Sequence, residues 1–437
     1  MAIIFSHFKL PFLVISIFAI LSPGLVQAKW SLIPRLYVEH QYDDNIFLTE
    51  TNEQHDFITT VSPGVNLQYQ TPTEKIDLDY EFQRSFYSDF SELDFPGHRG
   101  RAEARKDFGP RFSAGIREIF IRSQDPIELT GIPVFEPPSI RTGMRNPYTR
   151  NIVEPDMTFR FGEKRSLRLK FRNNILRNKQ ENIADRDQNA INALLSFPFN
   201  IHNDIEVFCE HINQNYDPTI PPQPPRDFDG DEIRGRYTYH FDPITSAFVE
   251  CRYYQRDLDR ETTGFVDYKV HDPRLGFSRD LYENVTVSAS AGYAIRNATG
   301  RDDEETFSGR LDFSGRYKRL AADVYGKAGF DEDFLGAESL GFNQFWRVGF
   351  NGRYQLLERL SARGFFYIER NRFVDIDRTD KLWNVRGRLS YHLMRWLFLS
   401  FNYEYNKRDS NIPFESYTDN RYFGRITAQY DIAELFQ

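Results

Sequence analysis

Val285-Thr286-Val287-Ser288-Ala289-Ser290-Ala291-Gly292-Tyr293-Ala294-Ile295-Arg296 reads as one β-strand with two unlike faces. Val285, Val287, Ala289, Ala291, Tyr293 and Ile295 fall on one side. Thr286, Ser288, Ser290, Gly292 and Arg296 fall on the other. A strand has a side-chain period of two, so this alternation makes one apolar and one wet face.

The same pattern recurs from Ile33 to the C-terminus. Leu167, Leu169 and Phe171 alternate with Arg168, Lys170 and Arg172; Trp346, Val348, Phe350 and Tyr354 alternate with Arg347, Asn351 and Arg353. Leu397, Leu399, Phe401, Tyr403 and Tyr405 alternate with Ser400, Asn402, Glu404 and Asn406. Alternation alone also fits a soluble β-sandwich. Two features decide against it: the wet faces are densely charged in strand after strand, and the connections alternate between short and long. Short turns fall near Thr73, Gly109-Pro110, Gly162-Glu163, Ile201-His202, Asp242-Pro243, Tyr282-Glu283, Lys318-Arg319, Leu357-Glu358 and Met394-Arg395. Longer connections lie near 43–55, 89–95, 123–146, 179–188, 217–230, 258–266, 298–305, 373–380 and 409–419. Short periplasmic turns and long external loops are the pattern of an outer-membrane barrel.

The expected fold is therefore all-β: a closed antiparallel transmembrane β-barrel of about 18–20 strands, with both chain ends in the periplasm. The segments Pro96–Phe108, Asn189–Asn200 and Asp267–Asp280 carry Pro or Gly at awkward places and are the weakest strands. A barrel of this size encloses a lumen wide enough for water. Few residues separate the mature start from the first strand, so neither an N-terminal plug domain nor periplasmic repeats are expected.

Composition agrees. Mean hydropathy is −0.58 and 27% of residues are charged, which excludes a helical membrane protein, yet aromatics reach 16%. Aromatic girdles at both lipid interfaces account for such an excess. The net charge of −8 gives no reason to invoke nucleic acid. Lys9, the apolar run Leu10–Leu21, the break at Ser22-Pro23-Gly24 and the small-residue triplet Val26-Gln27-Ala28 read as a signal peptide over residues 1–28, with the barrel over 29–437. No Cys follows that site, so lipid anchoring is not expected.

Tyr42-Asp43-Asp44-Asn45-Ile46-Phe47, followed by Asp56-Phe57-Ile58-Thr59-Thr60-Val61-Ser62-Pro63-Gly64, resembles the opening of the putative β-barrel porin 2 family. The resemblance implies an outer-membrane barrel tied to exopolysaccharide export, acting beside a periplasmic polysaccharide-export protein. The family name itself implies a porin. Phe423 to Phe436, with Phe436 penultimate, resembles the terminal signal read by the barrel-assembly machinery, although the final Gln437 departs from it. Asp43, Asp44 and Asn45 stand where the first strand ends and suit side-chain capping of a turn.

Candidate functional residues come from strand parity. Arg168, Lys170, Arg172, Arg310, Arg347, Arg353, Arg386 and Arg388 face the lumen, as do Asp77, Asp79 and Glu81. The acids gather in Ile76–Ser88 and the arginines in Arg347–Arg388, which would set up a transverse field favouring charged or hydroxyl-rich solutes. Cross-strand pairing that merely stabilises a wet interior is the competing reading. Gln124 to Asn146 is the longest structureless connection and the third long one. Its Asp125, Glu128, Glu136, Arg141 and Arg145 are candidates for a constriction folded into the barrel; a surface lid is the alternative. Asp227-Phe228-Asp229-Gly230-Asp231 is only weakly calcium-like, and no metal or cofactor is expected.

Cys209 and Cys251 stand in strands separated by one strand, about 10 Å apart, too far for a disulfide, and face lipid. The histidines are scattered without a nucleophile or orienting partner, so no enzyme is expected. The sequence therefore points to a conduit, for exopolysaccharide or, as alternatives, for small hydrophilic solutes, or to an adhesion barrel with a blocked lumen.

Overall fold

A computed structural model of the chain describes residues 28–125, 127–128, 139–140, 145–180, 184–217, 227–258, 266–333 and 341–435. Residues 1–27 of the segment read as a signal peptide, and Phe436, lie outside these residues. In chain order the strands are β1 (Lys29–Asp43), β2 (Asp56–Gln70), β3 (Glu74–Tyr87), β4 (Phe95–Asp107) and β5 (Phe112–Ser123). A two-residue pair, β6 (Ile127–Glu128) and β7 (Ser139–Ile140), stands apart. Then come β8 (Tyr148–Arg160), β9 (Ser166–Asn178), β10 (Asp185–Pro198), β11 (Asn203–Asp217), β12 (Phe228–Asp242), β13 (Thr245–Leu258) and β14 (Tyr268–Tyr282). The series ends with β15 (Val285–Ala298), β16 (Glu304–Tyr317), β17 (Leu320–Asp333), β18 (Gly341–Leu357), β19 (Leu360–Phe373), β20 (Arg378–His392), β21 (Leu397–Ser410) and β22 (Tyr417–Gln429).

Apart from β6 and β7, every strand pairs antiparallel with its neighbours in a single 20-stranded sheet. The sheet closes where β1 meets β22, from Arg35↔Gln429 to Asp43↔Arg421. The three weak segments are all wall strands: β4, β10 and β14. Pro273 sits inside β14, and Gly292 of β15, opposite Arg274, leaves room for its carbonyl. A Cβ on Gly292 would stand 2.0 Å from the Pro273 carbonyl oxygen. At the end of the barrel that holds both described chain ends, every connection is five residues or shorter; the other end carries all the longer connections, although 299–303 and 374–377 there are short as well. One long connection, 334–340 between β17 and β18, was not singled out from the sequence.

The outer surface is apolar. Leu275 (66% exposed), Leu311, Phe313, Val348, Phe401 and Ile426 face outward along the strands. At the short-turn end, Trp30, Phe108, Phe199, Phe241, Tyr282 and Tyr317 form an exposed aromatic ring, as expected for a lipid interface. Cys209 and Cys251 are free and exposed on β11 and β13, one strand apart. The last strand stops at Gln429, earlier than the segment read from the sequence. Ile432–Leu435 forms a 3-10 turn instead. Ser31 Oγ donates to Asp431 at 2.6 Å, tying the chain end to β1 and holding that carboxyl below its usual range.

The lumen as candidate functional site

Inward positions of the wall carry a nearly continuous set of ion pairs. Glu154 on β8 is 2% exposed and receives Arg117, Lys170 (2.5 Å) and Arg172 (2.9 Å), while Arg168 reaches Asp156 at 3.3 Å. Asp79 and Glu81 are both held by Arg35, at 2.6 and 3.1 Å; Asp77 accepts from the Asn66 amide at 2.8 Å. Arg310 pairs with Asp312 (2.9 Å), Arg347 with Glu369 (2.5 Å), Arg386 with Glu404 (2.9 Å) and Arg425 with Glu39 (2.7 Å).

These pairs correct the parity reading in one respect. The acidic strand β3 is countered by Arg35, and Arg347 and Arg386 are countered by Glu369 and Glu404, so neither group is free charge. Of the basic residues named from the sequence, Arg353 has no ion pair among the described residues. Among the described residues, Arg388 is bonded only to the Asn402 amide oxygen.

At the long-loop end the lumen is filled in two places. The first is a polar hub built on Asp43, which is fully buried. It caps the turn by accepting the Asn45 amide at 3.1 Å, as its position at the strand end suggested. It also takes Arg145 at 2.8 Å and Arg421 at 3.3 Å. Arg421 further contacts Asp419 (2.9 Å) and Asp125 (3.3 Å), and Arg145 donates to the Ile46 carbonyl (2.8 Å) and the Tyr87 hydroxyl (3.1 Å).

Asp125 follows β5, and Arg421 lies on β22, five strand steps away. At about 4.8 Å per step that is about 24 Å along the wall. Both ends of the 124–146 connection therefore leave the wall and meet inside the barrel mouth. Glu136, Arg141 and the side chain of Glu128 lie outside the described residues.

The second filling arises where the wall itself curls inward. β16 and β17 are paired only from Gly309↔Ala328 to Tyr317↔Leu320. Beyond that point β17 continues on β18, to Asp333↔Gly341, while β16 continues on β15. The separation begins at Gly329, whose φ of +148° is a conformation that side chains disfavour.

The released edge carries Phe330 and Glu332 into the lumen. There Glu332 meets Arg256 (2.9 Å) and the Tyr268 hydroxyl (2.7 Å), residues of strands four and three steps away. Phe330 and Phe342 pack with Phe228, Tyr254, Leu258 and Tyr268. Arg296, 1% exposed, lies 4.3 Å from the Phe342 ring centre and 4.8 Å from that of Tyr268. It is also bound to Asp375 of the β19–β20 connection at 3.0 Å.

The sequence reading missed Asp43 as a hub, along with Arg35, Arg421, Arg256, Glu332 and Arg296. Parity would have placed Arg35 and Arg421 in the lumen. No local signal marks the curl, because nothing in Asp331–Phe342 breaks the strand pattern in the manner of a Pro or Asn-Gly turn. The three aspartates at 227–231 do not converge. Asp227 accepts the Tyr216 amide, Asp229 the Asn213 amide group, and Asp231 pairs with His211.

A closed 20-stranded antiparallel sheet, lipid-facing outside and polar inside, defines an outer-membrane β-barrel. The profile of the putative beta-barrel porin 2 family matches residues 23–220 and 345–430, more than half of the chain, and the protein belongs to that family. No curated protein sequence matches it. Among solved structures, the ferric enterobactin receptor PfeA of Pseudomonas aeruginosa superposes with a TM-score of 0.55 at 10% identity, over 91% of this chain and 80% of that one. The siderophore receptor PirA of Acinetobacter baumannii gives 0.55 at 7% identity, over 93% and 81%. At such identities the likeness is one of fold.

Proposed function

We propose that this barrel is the integral outer-membrane component of an exopolysaccharide export pathway, passing polymer from the periplasm to the cell surface without catalysis. One observation carries the reading: the lumen is closed at one end and open at the other. Inward side chains toward the long loops are buried, among them Asp43, Gln188, Gln214, Arg296, Asp380 and Asp419. Inward Arg353, Arg363 and Arg388, toward the short turns, are exposed. Short turns face the periplasm. Material supplied from the periplasm thus meets an accessible polar chamber, and the outward gate is made of side chains and loops. Planar guanidinium groups and aromatic rings along the wall suit hydroxyl-rich chains, through hydrogen bonds and stacking.

A periplasmic polysaccharide-export protein docked on the short-turn rim would complete the passage. The barrel-assembly machinery would insert the chain into outer-membrane lipid. The second reading, a diffusion porin, is favoured by the family's description. Deleting the gene separates the two: export requires loss of a surface polysaccharide with small-solute uptake unchanged, and a porin requires slower uptake with polymer intact. Wild-type polymer in the deletion strain would refute export.

A further inference from the structure

We infer that the periplasmic half of the lumen holds a binding row for an acidic carbohydrate chain, formed by Arg316, Arg353, Arg363 and Arg388. This rests on the conduit reading and deepens it by naming the class of polymer. The register places these residues in one lateral line: Arg316↔Ala321, Ala321↔Arg353, Arg353↔Arg363 and Arg363↔Arg388. Arg388 is then opposite Asn402, so no carboxylate stands anywhere in the line. Four strand steps at about 4.8 Å span about 19 Å, enough for several sugar units.

Two steps in this line set arginine directly against arginine. Like charges opposite each other on neighbouring strands oppose folding, where the same positions filled with opposite charges would help. Elsewhere in the wall Glu154, Asp79, Asp312, Glu369 and Glu404 each hold an arginine, and where Arg252 stands opposite Arg234 it pairs with Glu232 at 2.8 Å. In the four-arginine line no such acid intervenes. No described carboxylate lies within ion-pair distance of Arg316, Arg353, Arg363 or Arg388; only Arg388 has a partner, the neutral Asn402 amide. All four arginines are exposed to the open chamber.

The adjoining inward row, one step nearer the short-turn rim, is Gln355↔Ser361, Ser361↔Ser390 and Ser390↔Ser400. A strip of guanidinium groups beside a strip of hydroxyl and amide groups fits a chain that carries carboxylates and hydroxyls together. Arginine forks bind carboxylates bidentately, and the short polar side chains complement sugar hydroxyls. A structural role would have placed acids among these arginines.

The test uses the purified barrel in planar bilayers, with oligogalacturonate and neutral dextran of equal size added on the short-turn side. Oligogalacturonate is expected to block current at lower concentration than dextran, and added salt should weaken that block. Replacing Arg353, Arg363 and Arg388 together by Ser should weaken the oligogalacturonate block about tenfold or more and leave the dextran block unchanged. Insertion yield and single-channel conductance report that the variant is folded.

Equal block by both polymers, or an unaltered oligogalacturonate block in the triple variant, would overturn the acidic-chain site while leaving the conduit intact. Inorganic phosphate competing as well as oligogalacturonate, charge for charge, would also overturn it, by reducing the row to a small-anion filter. Failure of either polymer to enter would remove the conduit reading itself.

Discussion

Asp43 and Arg145 are 102 residues apart in sequence and meet at 2.8 Å, both buried, with Arg421 sharing the same carboxylate. Asp43 therefore serves two arginines in a place that water does not reach, sharing Arg421 with Asp419 and Asp125. Asp43→Asn keeps the shape and removes the charge. Leaving buried charge uncompensated costs about 3–5 kcal/mol, and the cheapest relief is for Arg145 to swing out of the mouth. The variant is expected to show higher mean conductance than wild type in planar bilayers. Unchanged conductance would mean that the hub does not close the lumen.

Gly329 offers a second way to open the same end. A side chain there would be held at φ +148°, a strain of about 1–3 kcal/mol that pairing β17 flat against β16 would relieve. Gly329→Val should weaken the inward curl, expose Phe342 and raise conductance, with little loss of insertion. Reactivity of a cysteine placed at Phe342 toward a charged maleimide measures the exposure. Reactivity as low in Gly329→Val as in wild type counts against the hinge.

Outward and inward positions should respond oppositely to charge. Val287 and Leu399 lie opposite Phe313 and Ile426 on the apolar surface, whereas Ser288 and Ser400 lie opposite Asp312 and Arg425 on the lumen side. Val287→Arg or Leu399→Arg should destabilise the barrel, by less than the about 2–4 kcal/mol of a midplane position because both stand near the short-turn interface. Ser288→Arg should be tolerated. Folding yields into lipid vesicles give the comparison, and equal yields would show the register to be wrong.

Closure from Arg35↔Gln429 to Asp43↔Arg421 leaves the sheet no free edge around its middle. Such barrels resist SDS until boiled. The unheated protein should migrate faster on a gel than the heated one, with a β-rich circular dichroism spectrum. Identical migration before and after heating would argue against closure.

The wall was legible in the sequence because each strand states its own face. Alternation such as Leu397–Asn406 fixes which side chains meet lipid, and the spacing of turns fixes the direction of the chain. Even Pro273, which weakened the reading of β14, is accommodated by Gly292 across the ladder.

What stayed hidden is what depends on who meets whom across the lumen. Parity placed Arg347 and Arg386 inside correctly but could not show that Glu369 and Glu404 neutralise them, while Arg353 and Arg388 stay free of carboxylates. Asp43 read as a turn cap, which it is, and its role as an acceptor for Arg145 depends on a loop path that no local pattern encodes.

The curl at Gly329 also bears on the size of what can pass. A ring whose strands are all paired along their full length has one perimeter, fixed by strand number and stagger. It cannot widen without breaking backbone bonds. Here the ring is fully paired only up to Gly309↔Ala328 at one seam. Above it the wall overlaps itself like the end of a rolled sheet. Unrolling that overlap would lengthen the perimeter at the long-loop end while the ladder below stays intact. Strand count therefore fixes the girth of this barrel only below the seam.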